Sequence, residues 1–174
     1  MMKRPAKLCF IALLMLSYSI SSAQESGTSV AAFRLHINGL ALHFDKGRDT
    51  NEKAWGLGIE KPAGTSEGST AVLNGWNKFW ELDFYRDSYS DVAVAGGFGV
   101  HRPMFRYLDF GLKAGLLYER EFKEKAGSPI VPYLLPFVET RFDTALNLRA
   151  ILVPPIDKYS VKGLIFLQLI IDIR

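Results

Sequence analysis

The chain is poor in cysteine, in long apolar runs and in clustered charge, and each shortage excludes a class of protein. Its single cysteine, Cys9, lies in an amino-terminal leader. A chain cut after the leader has no disulfide, no thiol nucleophile and no thiolate metal cluster. The one mostly apolar stretch, residues 8–20, is too short to span a bilayer well. No apolar helix, heptad pattern or internal repeat follows it. The net charge of +3 gives no binding surface for nucleic acid either. Three of the 21 bases, Lys3, Arg4 and Lys7, and none of the 18 acids precede residue 24, which leaves 18 of each. No basic cluster survives to meet phosphate, so no nucleic-acid partner is expected. Metal-ligand spacing, phosphate loops and dinucleotide fingerprints are missing as well, and no metal or cofactor is expected.

The leader has the three parts of a secretory signal. Lys3, Arg4 and Lys7 make a basic start, residues 8–20 an apolar middle, and Ser21, Ser22 and Ala23 a small-residue cleavage site. Residues 1–23 are expected to be removed, leaving one domain over residues 24–174. About 151 residues suit eight strands of about ten residues with their turns.

Period-two alternation, broken by turn residues, runs through that domain. In a first strand, about residues 30–45, Phe33, Leu35 and Ile37 alternate with Arg34, His36 and Asn38. The phase then flips, so that Leu40, Leu42 and Phe44 become the apolar set. A one-residue phase change at Asn38-Gly39 predicts a β-bulge. Seven further strands follow, near residues 54–60, 80–85, 92–100, 108–116, 133–141, 146–152 and 165–173. The sixth is apolar on both faces at first.

A soluble barrel alternates too, so the polar face decides. Arg34, Glu81, Asp83, Lys113 and Arg149 stand opposite the large aliphatics, which form a Leu-rich set continuous from strand to strand. Aromatic residues near strand ends, Phe44, Trp55, Trp76, Trp80 and Tyr118, suit interfacial girdles. The pattern predicts an all-β, eight-stranded antiparallel transmembrane β-barrel of the outer-membrane type, monomeric, in the bacterial outer membrane, with membrane lipids as partners.

Reactive groups are few. If the first strand starts in the periplasm, it ends outside, and so does the third. His43, Asp87 and Ser88 then share the outer rim. His36 lies seven residues lower, roughly 23 Å at about 3.3 Å per residue. His43 can take the proton of Ser88, Ser88 can attack an ester carbonyl, and Asp87 can orient the imidazole. The same three are ordinary polar residues for a barrel rim, and residue type alone favours that reading. On the fourth strand an inward row of Ala93, Ala95, Gly97 and Gly99, with Gly111 and Gly115 beside it, leaves room for one hydrocarbon chain unless bulky neighbours fill it.

Several short segments resemble the PagP-type lipid A palmitoyltransferase family. Residues 51–56, Asn-Glu-Lys-Ala-Trp-Gly, are similar to its NE-x-x-WG segment, and residues 86–89, Arg-Asp-Ser-Tyr, to its K-D-S-W catalytic segment. Gly99 keeps the spacing of the glycine that floors that family's acyl pocket. Pro136 and Pro154 resemble the two prolines that interrupt strand pairing and open a lateral path for lipid. The resemblance covers most of residues 40–174. It implies an eight-stranded enzyme that moves an acyl chain from phospholipid to lipid A without a cofactor. His43 would be the base, Asp87 and Ser88 its catalytic partners, and Gly99, Pro136 and Pro154 substrate-binding. Aligned on Asp45-Lys46, however, the family's catalytic histidine position holds Gly39, and its amino-terminal amphipathic helix has no counterpart. A non-catalytic barrel of the same fold, or a lipid A deacylase, are the alternatives.

Overall fold

The computed structural model describes residues 32–44, 52–65, 74–87, 91–140, 145–156 and 163–173. The leader and Ser88 lie outside them. Eight strands follow in order: β1 (Phe33–His43), β2 (Lys53–Thr65), β3 (Asn77–Arg86), β4 (Val92–Phe105), β5 (Leu108–Tyr118), β6 (Ile130–Thr140), β7 (Leu146–Val153) and β8 (Leu164–Ile173). Each pairs antiparallel with its neighbours in sequence, and β8 returns to β1, which closes the barrel. Closure removes both sheet edges and so satisfies backbone groups that an open sheet would leave unpaired.

Alternation sets which side chains enter the lumen. On β1, Arg34, His36 and Asn38 are buried while Leu35 is exposed. Both ladders of β1 shift register between Asn38 and Leu40. The extra residue there carries Ala41 inward, so the predicted bulge is present. All six acids of the described strands point inward: Glu60, Glu81, Asp83, Asp109, Glu139 and Asp172. Large aliphatics point out; Leu57 and Leu134 are each 67% exposed.

Phe33 pairs with Ile173, so the barrel begins and ends at one rim, called lower here. The two-residue connection Arg106-Tyr107 is also at this rim. The upper rim carries the connections over residues 44–52, 87–91, 119–129 and 154–163. One of these holds a feature that no sequence pattern announces, the single-turn helix α1 (Phe122–Ala126). Gly127 ends it in the left-handed conformation, φ 74°, which glycine adopts without a Cβ penalty. Glu119 N–H donates to the Pro129 carbonyl at 2.9 Å and closes the loop's base. Phe122 is thereby tucked into the barrel mouth, 8% exposed.

The lower lumen is solid. Phe79, Phe137 and Ile151 form a buried cluster, with the two rings edge to face at 5.9 Å. The expected glycine shaft is filled here. A Cβ on Gly99 would come within 2.1 Å of the Phe79 ring, and one on Gly111 within 2.2 Å of the Phe137 ring. The small residues accept aromatic rings from the adjacent strands rather than leave a channel.

Candidate functional site: a charged layer beneath a lateral cavity

Around the aromatic cluster, inward charges from seven strands meet in one layer. Arg149 is fully buried. Its Nε donates to Glu139 at 2.7 Å and its Nη2 to Glu60 at 2.7 Å, while its guanidinium lies 4.9 Å from the Phe79 ring centre and 4.5 Å from that of Phe137. Arg34 donates to Glu60 at 2.6 Å, to Asp172 at 2.7 Å and to Glu139. Lys113 pairs with Glu81 at 2.7 Å, and the Tyr133 hydroxyl donates to the same carboxylate at 3.1 Å. Charges taken out of water are tolerable only when paired in this way. The layer crosses the lumen interleaved with the aromatic cluster, Arg149 lying against both of its rings.

His36 belongs to this layer and not to the rim. Its Nδ1 is 3.0 Å from Asp83 Oδ1, and its Nε2 is 3.3 Å from Glu60 Oε2, an ion-pair distance without hydrogen-bond alignment. Asn38 donates to Asp83 at 3.2 Å and accepts from Gln168 at 2.7 Å. His36, Glu81 and Asp83 bring one ligand atom each within 4.8 Å of one another, the one grouping with metal-ligand chemistry among the described residues. Lys113 and Arg149 already supply positive charge to Glu81 there, which disfavours a divalent cation at that point.

Above the layer lies a cavity of about 210 Å³. Asp83, Lys113 and Gln168 form its polar floor; Tyr85, Ala95, Phe122, Val131, Leu135 and Phe166 are among its walls. It also touches Pro132 and Leu134, whose side chains point out of the barrel, and Pro154 and Ile156 beyond β7. A cavity bordered by residues from both faces of β6 breaches the wall at that strand. The ladder explains the breach. β5 and β6 pair over eleven residues, from Leu108↔Thr140 to Tyr118↔Ile130. β6 and β7 pair only at Phe137↔Ile151, Val138↔Ala150 and Glu139↔Arg149. Pairing stops beside Pro136 and three residues short of Pro154, and neither proline has an N–H to donate. The apolar inner face of upper β6, which the sequence showed without a reason, is the wall of this cavity.

The residues singled out from sequence fall in three places. Pro136 and Pro154 flank the open seam, and Pro154 lines the cavity. Gly99 lies under the Phe79 ring and does not border the cavity; Ala95, four residues higher on β4, does. His43 and Asp87 stand at the upper ends of β1 and β3, with β2 between them. That is roughly 10 Å at about 4.8 Å per strand step. Asp87 is 4% exposed, and its Oδ1 accepts from the Asp91 N–H at 2.8 Å while its own N–H donates to the Asp91 carbonyl at 2.9 Å. It therefore closes the β3–β4 turn. Ser88 lies outside the described residues, so the triad cannot be assembled from them. Gly39 sits at the β1 bulge, where an added Cβ would meet nothing closer than 4.0 Å.

No protein-family model matches the chain, and no curated protein matches it either. The fold and site define a closed eight-stranded antiparallel barrel with a charged lumen and a lateral apolar cavity.

Proposed function

We propose that this is a bacterial outer-membrane barrel that receives a lipid acyl chain through the β6–β7 seam. The observation that carries the reading is the breach itself: an apolar cavity that opens sideways through an unpaired, proline-flanked stretch of wall. A side opening serves a ligand that arrives within a membrane, whereas a ligand from water would enter by the barrel mouth. Exposed Leu, Phe and Val around the whole wall support the membrane setting. Monomeric soluble proteins rarely expose contiguous apolar patches beyond a few hundred Å². The leader supports export, with residues 1–23 as a cleaved signal peptide.

The PagP-like segments extend this to acyl transfer from phospholipid to lipid A, with His43 as base and Asp87 and Ser88 as its catalytic partners. The cavity's size bears on the extent of insertion. At about 210 Å³ it exceeds the roughly 150 Å³ that admits a benzene-sized guest, and falls below the roughly 300 Å³ where ordinary ligand pockets begin. It takes a short stretch of chain, stopped by the layer at Lys113 and Asp83. Production of the chain in a host without its own lipid A acyltransferase tests the activity. Mass spectra of lipid A should gain one acyl chain, and the gain should vanish with Asp87→Ala. Unchanged spectra with a folded barrel would reject acyl transfer, and loss of a chain would indicate a deacylase.

A second reading is a non-catalytic lipid-binding barrel. It is favoured by Asp87, which is committed to the β3–β4 turn, and by Gly39 at the position of the family's catalytic histidine. It predicts retention of lipid with no change in lipid A.

A further inference from the structure

The cavity beside the seam has apolar walls and a polar end. Asp83, Lys113 and Gln168 make its floor, and aliphatic and aromatic side chains make most of its walls. An acyl chain that enters through the seam tail first ends on that floor. A methyl end has no hydrogen bond to offer there, and burying polar groups under hydrocarbon without a partner is costly.

Two acceptors make the mismatch specific. Among the described residues that border the cavity, Asp83 and Gln168 each bury one polar atom with no hydrogen-bond partner, Asp83 Oδ2 and Gln168 Oε1. Both residues are 1% exposed. The other atom of each head is engaged. Asp83 Oδ1 lies 3.0 Å from His36 Nδ1 and accepts from Asn38 at 3.2 Å, and Gln168 Nε2 donates to Asn38 Oδ1 at 2.7 Å. Gln168 Nε2 also donates to Asp83 Oδ1 at 3.4 Å, so the two heads lie against each other and their free oxygens belong to one spot. Leaving a buried acceptor unmet costs more than an ordinary hydrogen bond gains. The third floor residue is a donor: the Lys113 ammonium has three N–H groups, and Glu81 lies 2.7 Å from it on one side.

The charges around the floor select the group that can meet it. An ammonium would face Lys113 and Arg149, and a carboxylate would face Asp83 and Glu81. Like charges repel strongly in a low-dielectric interior. A neutral hydroxyl both donates and accepts. It can donate to Asp83 Oδ2 or Gln168 Oε1 and accept from Lys113 without adding charge to a paired layer.

We propose that Asp83, Gln168 and Lys113 form a hydroxyl-binding subsite, and that the chain received through the seam is a fatty acyl chain hydroxylated at its distal end. The inference rests on the seam-entry reading above and adds to it the chemistry of the buried tip. The test separates the two.

The full processed chain is refolded into detergent and exchanged with equal amounts of two single-chain phospholipids, dodecanoyl and ω-hydroxydodecanoyl lysophosphatidylcholine. Retained lipid is counted by native mass spectrometry. The two share headgroup and chain length, so the ratio reads the tip alone. The hydroxylated lipid should be retained at least about tenfold over the other, because a site built around a hydroxyl rejects the analogue that lacks it. Gln168→Leu removes one acceptor and should lower the preference to below about threefold. Ala95→Phe fills the cavity and should abolish retention of both lipids. Equal retention by the unaltered protein, or preference for the methyl-ended lipid, overturns the subsite and leaves seam entry standing. Full preference in Gln168→Leu or in Ala95→Phe places the recognition elsewhere and also overturns the subsite. Retention of neither lipid by the unaltered protein overturns both readings. Heat-modifiable electrophoretic mobility verifies that each variant is folded, and the comparison of lipids on the unaltered protein needs no variant.

Discussion

Arg149 shows how single residues hold this barrel together. It has three carboxylates around it and an aromatic ring within 5 Å on either side. Arg149→Met keeps the volume but leaves Glu60 and Glu139 with less positive charge in a buried layer. Loss of one partner from a buried pair costs about 3–5 kcal/mol, so the urea midpoint of the refolded barrel should fall markedly. The glycines sort by what surrounds them. Gly56→Ala puts a Cβ 2.0 Å from the Phe84 carbonyl and 2.4 Å from the Tyr85 Cα, backbone that cannot give way. It should cost about 1–3 kcal/mol or more, whereas Gly39→Ala should be near neutral in the same unfolding assay. At this scale the sequence was legible as inside or outside and not as contact. Alternation put Arg34, Glu81, Asp83, Lys113 and Arg149 on one face. Which acid each cation meets depends on stagger around the closed barrel, which short-range pattern does not encode. Gly99 illustrates the same limit: its spacing suggested open space, and the Phe79 ring on the neighbouring strand occupies it.

At the scale of elements, the seam between β6 and β7 is the weak line. Their ladder has three pairs while β5 and β6 share eleven. Backbone groups of upper β6 that face β7 have no ladder there. Hydrogen-exchange mass spectrometry should find faster exchange over residues 130–136 than over residues 137–140. The cavity beside the seam is equally testable. Ala95 lines it and is 7% exposed. Ala95→Phe should fill it and reduce acyl-chain retention at least about tenfold, with little change in the barrel's heat-modifiable mobility. The phase flip at Asn38-Gly39 was readable in sequence as a bulge because it has a local cause, whereas Pro136 and Pro154 stood out as breaks in pairing only through the PagP-like resemblance. The helix α1 was not readable: five residues give no periodicity, and only the left-handed Gly127 marks its end.

At the scale of the whole molecule, the chain solves two problems with one alternation. Acids and most interior cations neutralise each other in the lumen, and aliphatic side chains cover the wall. Strand count and order were legible because hydrophobic period and turn spacing carry them. The medium around the wall is a proposal about solvent, and it rests on the outward faces alone. The absence of cysteine after Cys9 makes that claim directly measurable. A single cysteine placed at Leu57, which points outward and is 67% exposed, can carry a polarity-sensitive fluorophore in the chain refolded with phospholipid vesicles. The account predicts blue-shifted emission that brominated acyl chains quench and aqueous iodide does not; emission typical of water, quenched by iodide, would contradict it.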